Sequence, residues 1–302
     1  QSEDMGTGFY FDYGLKNSEN CLAIRCDLDA LPIAEKNQFD FISKHPGVSH
    51  ACGHDVHMTL LLGIISFLAK NNIKINGKIR FIFQPAEEIA PGGAEKLINA
   101  GVLNGVNHII GAHVQPKLKP CQIGIKSGPM AAIVELVDFT IKGPGGHTSR
   151  PADSIDLIAV LSHLISNLEK KINCKEESDN AVVLAFGKVS GGSAYNVLPD
   201  KINLKGTLRY VKSDKQESIH NKIEDIINRI EVSTGASISW KIPHFSPGLF
   251  NHESITNQII KSAVEMIGEK NVYKMKNSSM GGEDFAYYSE KIPGSYFRIG
   301  SS

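Results

Sequence analysis

The chain has 302 residues, of which 41% are hydrophobic and 21% charged, a composition typical of a folded globular protein with a sizeable core. Lysine and arginine together number 32, as do aspartate and glutamate, so the overall charge gives no reason to expect binding to nucleic acid or to a membrane. The longest apolar stretch, residues 60–69, is too short to cross a bilayer. The length suits two domains better than one.

The first part of the chain alternates short β-rich runs with stretches of helical periodicity. The predicted helices are 55–70 and 93–100, and the predicted strands are 21–26, 78–83, 108–112 and 122–125. Such alternation predicts an α/β domain with a mostly parallel sheet covered by helices on both faces. Ligand sites in sheets of this kind lie beyond the carboxyl ends of the strands.

From Val134 onward the pattern changes, and its order of elements is β-α-β-β-α-β, as in a ferredoxin-like domain. The predicted segments are strand 134–142, helix 154–172, strands 181–189 and 202–211, a helix from Ser213, and strand 236–242. The last helix combines Ser213 with Gln216 in a capping-box pattern, followed by isoleucines at helical spacing.

Because α/β material resumes afterwards with helix 255–267 and strand 296–300, the ferredoxin-like part is predicted to be an insertion. We therefore predict a catalytic domain formed by 1–127 and 241–302, and an inserted α+β domain formed by 128–240.

The segment His50–His57 is the most informative part of the chain, because it holds three histidines, Cys52 and Asp55 within eight residues. Cysteine and histidine are ligands suited to transition metals, and aspartate is a frequent partner that orients a metal-bound imidazole. This density of titratable groups predicts a metal site, with structural histidines as the alternative.

Two other polar positions follow predicted strands. Asp27 and Asp29 come after the first buried strand, where loop solvation or a helix cap is the alternative to a role at a site. His113 follows strand 108–112, and a lone histidine there is more often a core residue. A cysteine and a histidine of the 50–57 segment, a glutamate of the pair described next, and His113 each follow a strand end of one sheet, and their convergence predicts a ligand set.

Glu87 and Glu88 follow strand 78–83 directly, and adjacent carboxylates repel each other unless a cation is near. One of the pair can bind a metal while its neighbour acts as a general base on water. The pair therefore agrees with the metal site that the histidines predict.

Taken together, these motifs resemble the M20 family of zinc-dependent peptidases and amidohydrolases, in the branch that acts on N-acyl amino acids. That branch includes hippurate hydrolases, auxin-conjugate hydrolases and N-acetyldiaminopimelate deacetylases. The motifs span nearly the whole chain in the expected order; they are residues 25–32, 50–57, 84–88, 143–147, 196–199 and 281–285.

The resemblance implies two divalent metal ions per chain, zinc or manganese, with cobalt as a further option. A thiolate ligand favours zinc over manganese. The implied catalytic residues are Glu87 as general base and Asp27 as a support of the metal site. The implied metal ligands are Cys52, His54, Glu88 and His113, with Cys52 bridging the two ions.

The resemblance also implies that the inserted domain is a lid and a dimerisation domain, so we expect a homodimer. Within it, His147 matches an imidazole that polarises the scissile carbonyl in a neighbouring subunit's site. Asn196 and Arg209 are candidates to hold the substrate carboxylate. The expected partner is a small N-acyl amino acid, with no nucleic acid and no membrane.

The chain departs from the family pattern at one position. The family has one more histidine ligand, a little beyond the strand predicted at 296–300, whereas the last histidine here is His252. We expect the natural protein to extend at both ends, and a remnant with an incomplete two-metal site is the alternative.

Three other functions stay open. Cys52 with His54 or His57 would form a cysteine-hydrolase pair, although no oxyanion-hole motif accompanies it. A non-catalytic metal-binding module is the second, although such a module has no need of Glu87. The third is a dipeptidase of the same family, against which the Cys52 form of the motif favours acyl amino acids.

Several residues keep an open interpretation. Glu283 and Asp284 are expected in a loop near the site, where they cap a helix or brace the ligands, and the cap is preferred. His45 and His57 support the site or lie on the surface. The five cysteines are odd in number and scattered, which argues against a disulfide framework and predicts a reducing, cytoplasmic environment.

Overall fold

The computed structural model of the chain describes residues 5–174, 176 and 179–302. The helices, in chain order, are α1 (His54–Lys70), α2 (Ala94–Asn99), α3 (Leu157–Ile172), α4 (Gln216–Thr234), α5 (Glu253–Ile267) and α6 (Phe285–Ser289). Within the described residues, no helix combines the length and the apolar character needed to cross a membrane.

The strands follow the order expected from the sequence, with several short additions. They are β1 (Phe9–Gly14), β2 (Cys21–Asp27), β3 (Lys78–Gln84), β4 (His108–Gln115), β5 (Ile123–Ile125), β6 (Gly128–Ala131), β7 (Ile133–Lys142), β8 (Gly146–His147), β9 (Val182–Ser190), β10 (Val197–Leu198), β11 (Lys201–Tyr210), β12 (Ser237–Ser246), β13 (Leu249–Asn251), β14 (Val272–Lys274) and β15 (Gly294–Gly300).

The chain divides into two compact units. The first comprises the chain up to Met130 together with Leu249–Lys276 and Glu283–Ser302, and the second comprises Ala131–Gly248 and Asn277–Gly282. The functional division predicted from the sequence, with 128–240 as a lid, stays a prediction. Residues 1–4, which that prediction assigns to the catalytic domain, lie outside the described part of the chain.

The first unit is built on a seven-stranded sheet in the order β1-β3-β2-β4-β15-β5-β14. Most neighbours are parallel, whereas β1 with β3 and β15 with β5 are antiparallel, so the predicted mostly parallel sheet is confirmed. Helix α1 covers β2 and β3 through a small apolar cluster that includes Leu61, Leu68 and Phe81. Strands β2, β3 and β4 end at one edge, which gathers the polar residues that follow them.

The second unit confirms the ferredoxin-like prediction. Its four main strands form an antiparallel sheet in the order β12-β7-β11-β9, and β11 pairs with β7 over ten residues. The isoleucine stripe of α4 and the leucines of α3 fill one large buried cluster against this sheet. These spacings give each helix one apolar face, and burial of that face stabilises the packing of the helices against the sheet.

The predicted capping box at the start of α4 is wrong. Ser213–Lys215 forms a 3₁₀ turn, and α4 begins at Gln216 without a side-chain cap. The Gln216 amide instead donates to the buried carboxylate of Glu135 at 2.8 Å. Because the Gln216 side chain forms this hydrogen bond with a buried carboxylate, it is not available for a capping box.

Candidate metal centre

The turn Cys52–Gly53–His54 places the side chains of Cys52 and His54 at the edge of the sheet. Gly53 is left-handed, with φ of 86°, and α1 begins immediately after it at His54. A Cβ atom at position 53 would lie 2.5 Å from Cγ2 of Val114, so only glycine fits both the backbone and the space. The turn thereby sets Cys52 and His54 beside the end of β4.

His54 is the most unusual polar residue of the first unit. Its side chain is fully buried, and neither ring nitrogen has a hydrogen-bond partner among the described residues. Nδ1 lies 3.4 Å from Asp29 Oδ1, and Nε2 lies 3.8 Å from Glu88 Oε1, contacts between charges rather than directed hydrogen bonds. Burial lowers the pKa of His54, but Asp29 and Asp27 outweigh burial and leave it raised.

Cys52 and His113 face each other across the same space. The Cys52 Sγ is 3.3 Å from His113 Nε2, while His113 Nδ1 donates to the carbonyl of Val114 at 2.8 Å. Burial lowers the pKa of His113 to about 4, so the ring is uncharged at neutral pH and the lone pair of Nε2 faces the Cys52 thiol. Burial and the nearby Glu88 hold the pKa of the Cys52 thiol far above its usual value, which is opposite to what a nucleophilic thiolate needs.

Glu87 and Glu88 lie together at the same edge of the sheet. The backbone N–H of Glu88 donates to Asp29 Oδ2 at 2.9 Å, while Glu88 Oε1 is buried with no described hydrogen-bond partner. Burial and the neighbouring Glu283 raise the pKa of Glu87 to about 9. The site therefore holds more negative charge than its own residues neutralise, as expected where a cation belongs.

The donor atoms cluster closely enough to hold metal ions. Cys52, His54 and His113 offer ligand atoms within 4.8 Å of one another, as do His54, Glu87 and Glu88. The two groups share His54, so the structure brings together every ligand that the resemblance implied. The unpartnered atoms of His54 and Glu88, with the thiol and second imidazole beside them, fit a transition-metal centre.

Asp27 is buried behind this cluster and is held on both oxygens. Oδ2 accepts from Arg25 Nη1 at 2.8 Å, and Oδ1 accepts from His57 Nδ1 at 2.5 Å. Burial alone would raise the pKa of Asp27, but Arg25 and His57 outweigh it and hold the pKa well below its usual value. Asp27 Oδ2 lies 3.8 Å from His54 Nε2, which suits a support of the site.

Arg25, to which the sequence analysis gave no role, organises the carboxylates behind the site. Its buried guanidinium contacts Asp27 and Asp284 at 2.8 and 2.6 Å and Glu283 at 3.3 Å. Its Nε donates to Gln84 Oε1 at 2.9 Å. The available signal was an arginine inside a strand predicted to be buried, because such a charge must be paired.

Glu283 and Asp284 each accept hydrogen bonds from the start of a helix, in line with the preferred capping role. Glu283 Oε1 accepts from the first N–H of α6 at 3.1 Å and Oε2 accepts from the Tyr296 hydroxyl at 2.6 Å. Asp284 Oδ2 accepts from the backbone N–H groups of Gly93 and Ala94, at the start of α2. Burial raises the pKa of Asp284 to about 6.

His147, Asn196 and Arg209 belong to the second unit. The exposed His147 pairs with Val197 in a short antiparallel ladder, and the carbonyl of the adjacent Asn196 accepts from Thr148 at 3.1 Å. The second unit thus brings His147 and Asn196 together. Arg209 is half-buried on β11, and its Nη1 donates to the carbonyl of Met280 at 2.9 Å.

Comparison with known proteins agrees with this arrangement. The model of Peptidase family M20/M25/M40 matches residues 23–302. The chain belongs to this family. N-acetylcysteine deacetylase of Bacillus subtilis (strain 168) is 38% identical over 281 residues, which are 93% of this chain and 73% of that protein. The M20 match and this relative together place the chain in the N-acyl-amino-acid amidohydrolase branch, and it is a hydrolase.

Two further M20 relatives support this assignment. IAA-amino acid hydrolase ILR1-like 4 of Arabidopsis thaliana is 34% identical over 285 residues, which are 92% of this chain and 64% of that protein. Among solved structures, the YXEP protein of Bacillus subtilis, a dinuclear metal-binding peptidase from the M20 family, matches with a TM-score of 0.84 and 34% identity. That match covers 100% of this chain and 78% of YXEP.

Proposed function

We propose that this M20 hydrolase cleaves the amide bond of N-acyl amino acids with two divalent cations and with Glu87 as general base. The observation that carries the proposal is the deeply buried His54, whose unpartnered nitrogens face carboxylates and lie beside a thiol. The names of two relatives, N-acetylcysteine deacetylase and IAA-amino acid hydrolase, support an N-acyl amino acid as substrate.

Cys52, His54, Glu88 and His113 would hold the cations. When bound, the cations would supply Lewis acidity toward the amide carbonyl and lower the pKa of a water molecule. Zinc is the preferred ion because the set includes a thiolate and two imidazoles.

Glu87 would take a proton from the attacking water and return it to the leaving amine. This role needs a carboxylate that is ionised at neutral pH, whereas burial and Glu283 hold the pKa of Glu87 at about 9 in the protein alone. Positive charge beside Glu87 lowers that pKa, so Glu87 becomes a competent base only in the metal-loaded protein. Asp27 would keep its orienting role from behind the ligands.

The second unit contributes the remaining proposed roles. His147 would polarise the scissile carbonyl in the site of a neighbouring copy, and Asn196 and Arg209 would hold the substrate carboxylate. This assignment requires a homodimer formed through the inserted domain. We further propose a cytoplasmic location, which the free state of all five cysteines supports.

The test is metal analysis of the purified protein combined with hydrolysis of N-acetyl- and N-benzoyl-amino acids. We expect about two metal ions per chain and deacylation that chelator abolishes and zinc restores. Alkylation of the metal-loaded protein with iodoacetamide, which abolishes activity if Cys52 is a nucleophile, should leave turnover intact. Metal-free protein that still deacylates, or hydrolysis of dipeptides alone, would contradict the proposal.

A further inference from the structure

His57 has no part in the proposed chemistry, yet it lies next to two of the proposed ligands. It follows His54 by one turn of α1 and is buried. Its ring centroid is 5.4 Å from that of His54 and 4.7 Å from that of His113, so it lies beside two proposed ligands. A third imidazole in this place is either a ligand itself or a part of the ligands' support.

Both ring nitrogens of His57 are already engaged. Nδ1 lies 2.5 Å from Asp27 Oδ1, and the backbone N–H of Val114 donates to Nε2 at 2.9 Å. Because a backbone N–H can only donate, Nε2 carries no proton and the ring proton lies on Nδ1. The lone pair that a metal would need is used by Val114, so His57 is not a ligand although it lies near Asp27 and His54.

The contacts of His57 join two strand ends. Asp27 is the last residue of β2, and its other oxygen is fixed by Arg25. Val114 lies near the end of β4, directly after His113, and its carbonyl accepts from His113 Nδ1. Val114 therefore uses its N–H to hold His57 and its C=O to hold His113. The imidazole of His113 is tied to the Asp27 carboxylate through His57 and one residue of backbone.

We propose that His57 is a positioning residue that fixes the peptide groups of Val114 and thereby aims His113 Nε2 at the metal centre. The inference rests on the proposed function, since it needs His113 to be a ligand. Groups that orient a metal-bound histidine in this way commonly change metal affinity by about 10–100-fold when they are lost. The role requires the Nε2 acceptor, whereas a plain core histidine requires only volume.

Two substitutions separate the contacts of His57. His57→Asn carries its amide nitrogen near the place of Nδ1, so it can still donate to Asp27, but it has no acceptor for Val114. His57→Gln is longer by one methylene group and can place Oε1 near Nε2, where it accepts from Val114. His163→Asn is the matched control, because His163 is an exposed histidine on α3 of the second unit.

The measurement is zinc affinity by competition with a chromophoric chelator, together with the thermal midpoint of the chelator-treated protein. We expect His57→Asn to weaken zinc binding about 10–100-fold and His57→Gln to stay within a few-fold of wild type. The two metal-free variants should have similar midpoints, and His163→Asn should change neither quantity.

Each other result overturns the inference in a recognisable way. Unchanged affinity in both variants with a lower midpoint means that His57 is a core residue only. Loss of a whole ion from both variants means that it is a ligand, and weakening in His57→Gln but not in His57→Asn means that it acts through Asp27. A wild-type protein that binds no zinc overturns the proposed function as well.

Discussion

Each unit contains a buried cluster of acidic and imidazole groups, and the two clusters differ in how their polar atoms are matched. In the second unit, Glu135 is fully buried, and its Oε1 accepts from the Tyr210 hydroxyl at 2.7 Å and from the Gln216 amide at 2.8 Å. Its Oε2 contacts His220 Nε2 at 2.8 Å. The protein itself supplies every partner of that carboxylate.

The first unit has the same residue types without that match. His54 is equally buried but has no hydrogen-bond partner among the described residues, and the same holds for Glu88 Oε1 and Asp29 Oδ1. Burial of a polar group is costly unless it is paired, so matched groups stabilise a fold whereas unmatched ones point to a ligand. The difference separates a structural cluster from a metal site that uses similar chemistry.

The largest effect that follows from this difference is on turnover. Glu87→Gln removes the proposed base but keeps the volume of the side chain, so we expect kcat to fall by about 10²–10⁴-fold. Metal content should persist, because Glu87 is not one of the proposed ligands. Steady-state kinetics and elemental analysis of the same preparation check both points.

The control for that substitution comes from the other cluster. Glu135→Gln changes a fully buried glutamate of the second unit, and it should leave kcat within a few-fold of wild type. Loss of bound metal from Glu87→Gln would refute the assignment of Glu87 as a base rather than a ligand.

Truncation of the matched carboxylate should affect stability instead of metal binding. Glu135→Ala leaves Tyr210, Gln216 and His220 without their buried acceptor, which we expect to cost about 3 kcal/mol of unfolding free energy. Urea unfolding with and without zinc measures it. A loss below about 1 kcal/mol, or a loss of bound metal, would break the distinction between the two clusters.

The excess negative charge of the first unit predicts a pH dependence of the metal-free protein. Between pH 7 and 9 the folded protein keeps a proton on Glu87, whose pKa is raised to about 9, while the unfolded chain has lost it. Stability therefore falls as the pH rises through this window, and the raised pKa of His54 acts in the same direction. The lowered pKa values of His113 and Asp27 act only at lower pH.

Thermal midpoints at several pH values, with chelator and with zinc, test this dependence. We expect the midpoint to fall by a few degrees in chelator from pH 7 to 9 and to fall less with zinc, which keeps Glu87 ionised. A metal-free midpoint that stays constant or rises over this range contradicts an unmatched charge at the site.

The smallest effect concerns one hydrogen bond of the matched cluster. Gln216→Ala removes a single donor to Glu135, whose Oε1 keeps the Tyr210 hydroxyl, so we expect a loss of about 1 kcal/mol. The same urea titration measures it, with Asp214→Ala, at an exposed residue of the preceding turn, as a neighbouring control. A loss as large as that of Glu135→Ala would mean that the cluster acts as one cooperative unit.

Hydrophobic periodicity was sufficient to predict the helices and strands that have strong patterns. The isoleucine stripe of α4 and the buried run of β2 were predicted to within a few residues, because each buries one face. Strand β1 and helix α6 were not predicted, since β1 is an edge strand with exposed aromatic residues and α6 has only five residues. Their formation depends on packing against other strands, which local sequence does not express.

The residues of the candidate site likewise fall into two groups, those that the sequence reveals and those that it does not. Cys52, His54, Glu88 and His113 were found because ligand types at strand ends are visible as motifs, and the structure clusters them. The hydrogen bonds that join Asp27, His57 and Val114 could not be predicted from motifs, because Val114 contributes its backbone N–H. A peptide group has no signature in the sequence, so its role appears only when the strands are in place.

The turn at Gly53 sets a limit on how this protein can vary. Its positive φ and the 2.5 Å approach of Val114 leave no room for any side chain between Cys52 and His54. Val114 is also the residue whose backbone N–H engages His57. In a library randomised at this codon and selected for activity, we expect glycine alone to survive, whereas the exposed Thr59 on α1 should tolerate many replacements.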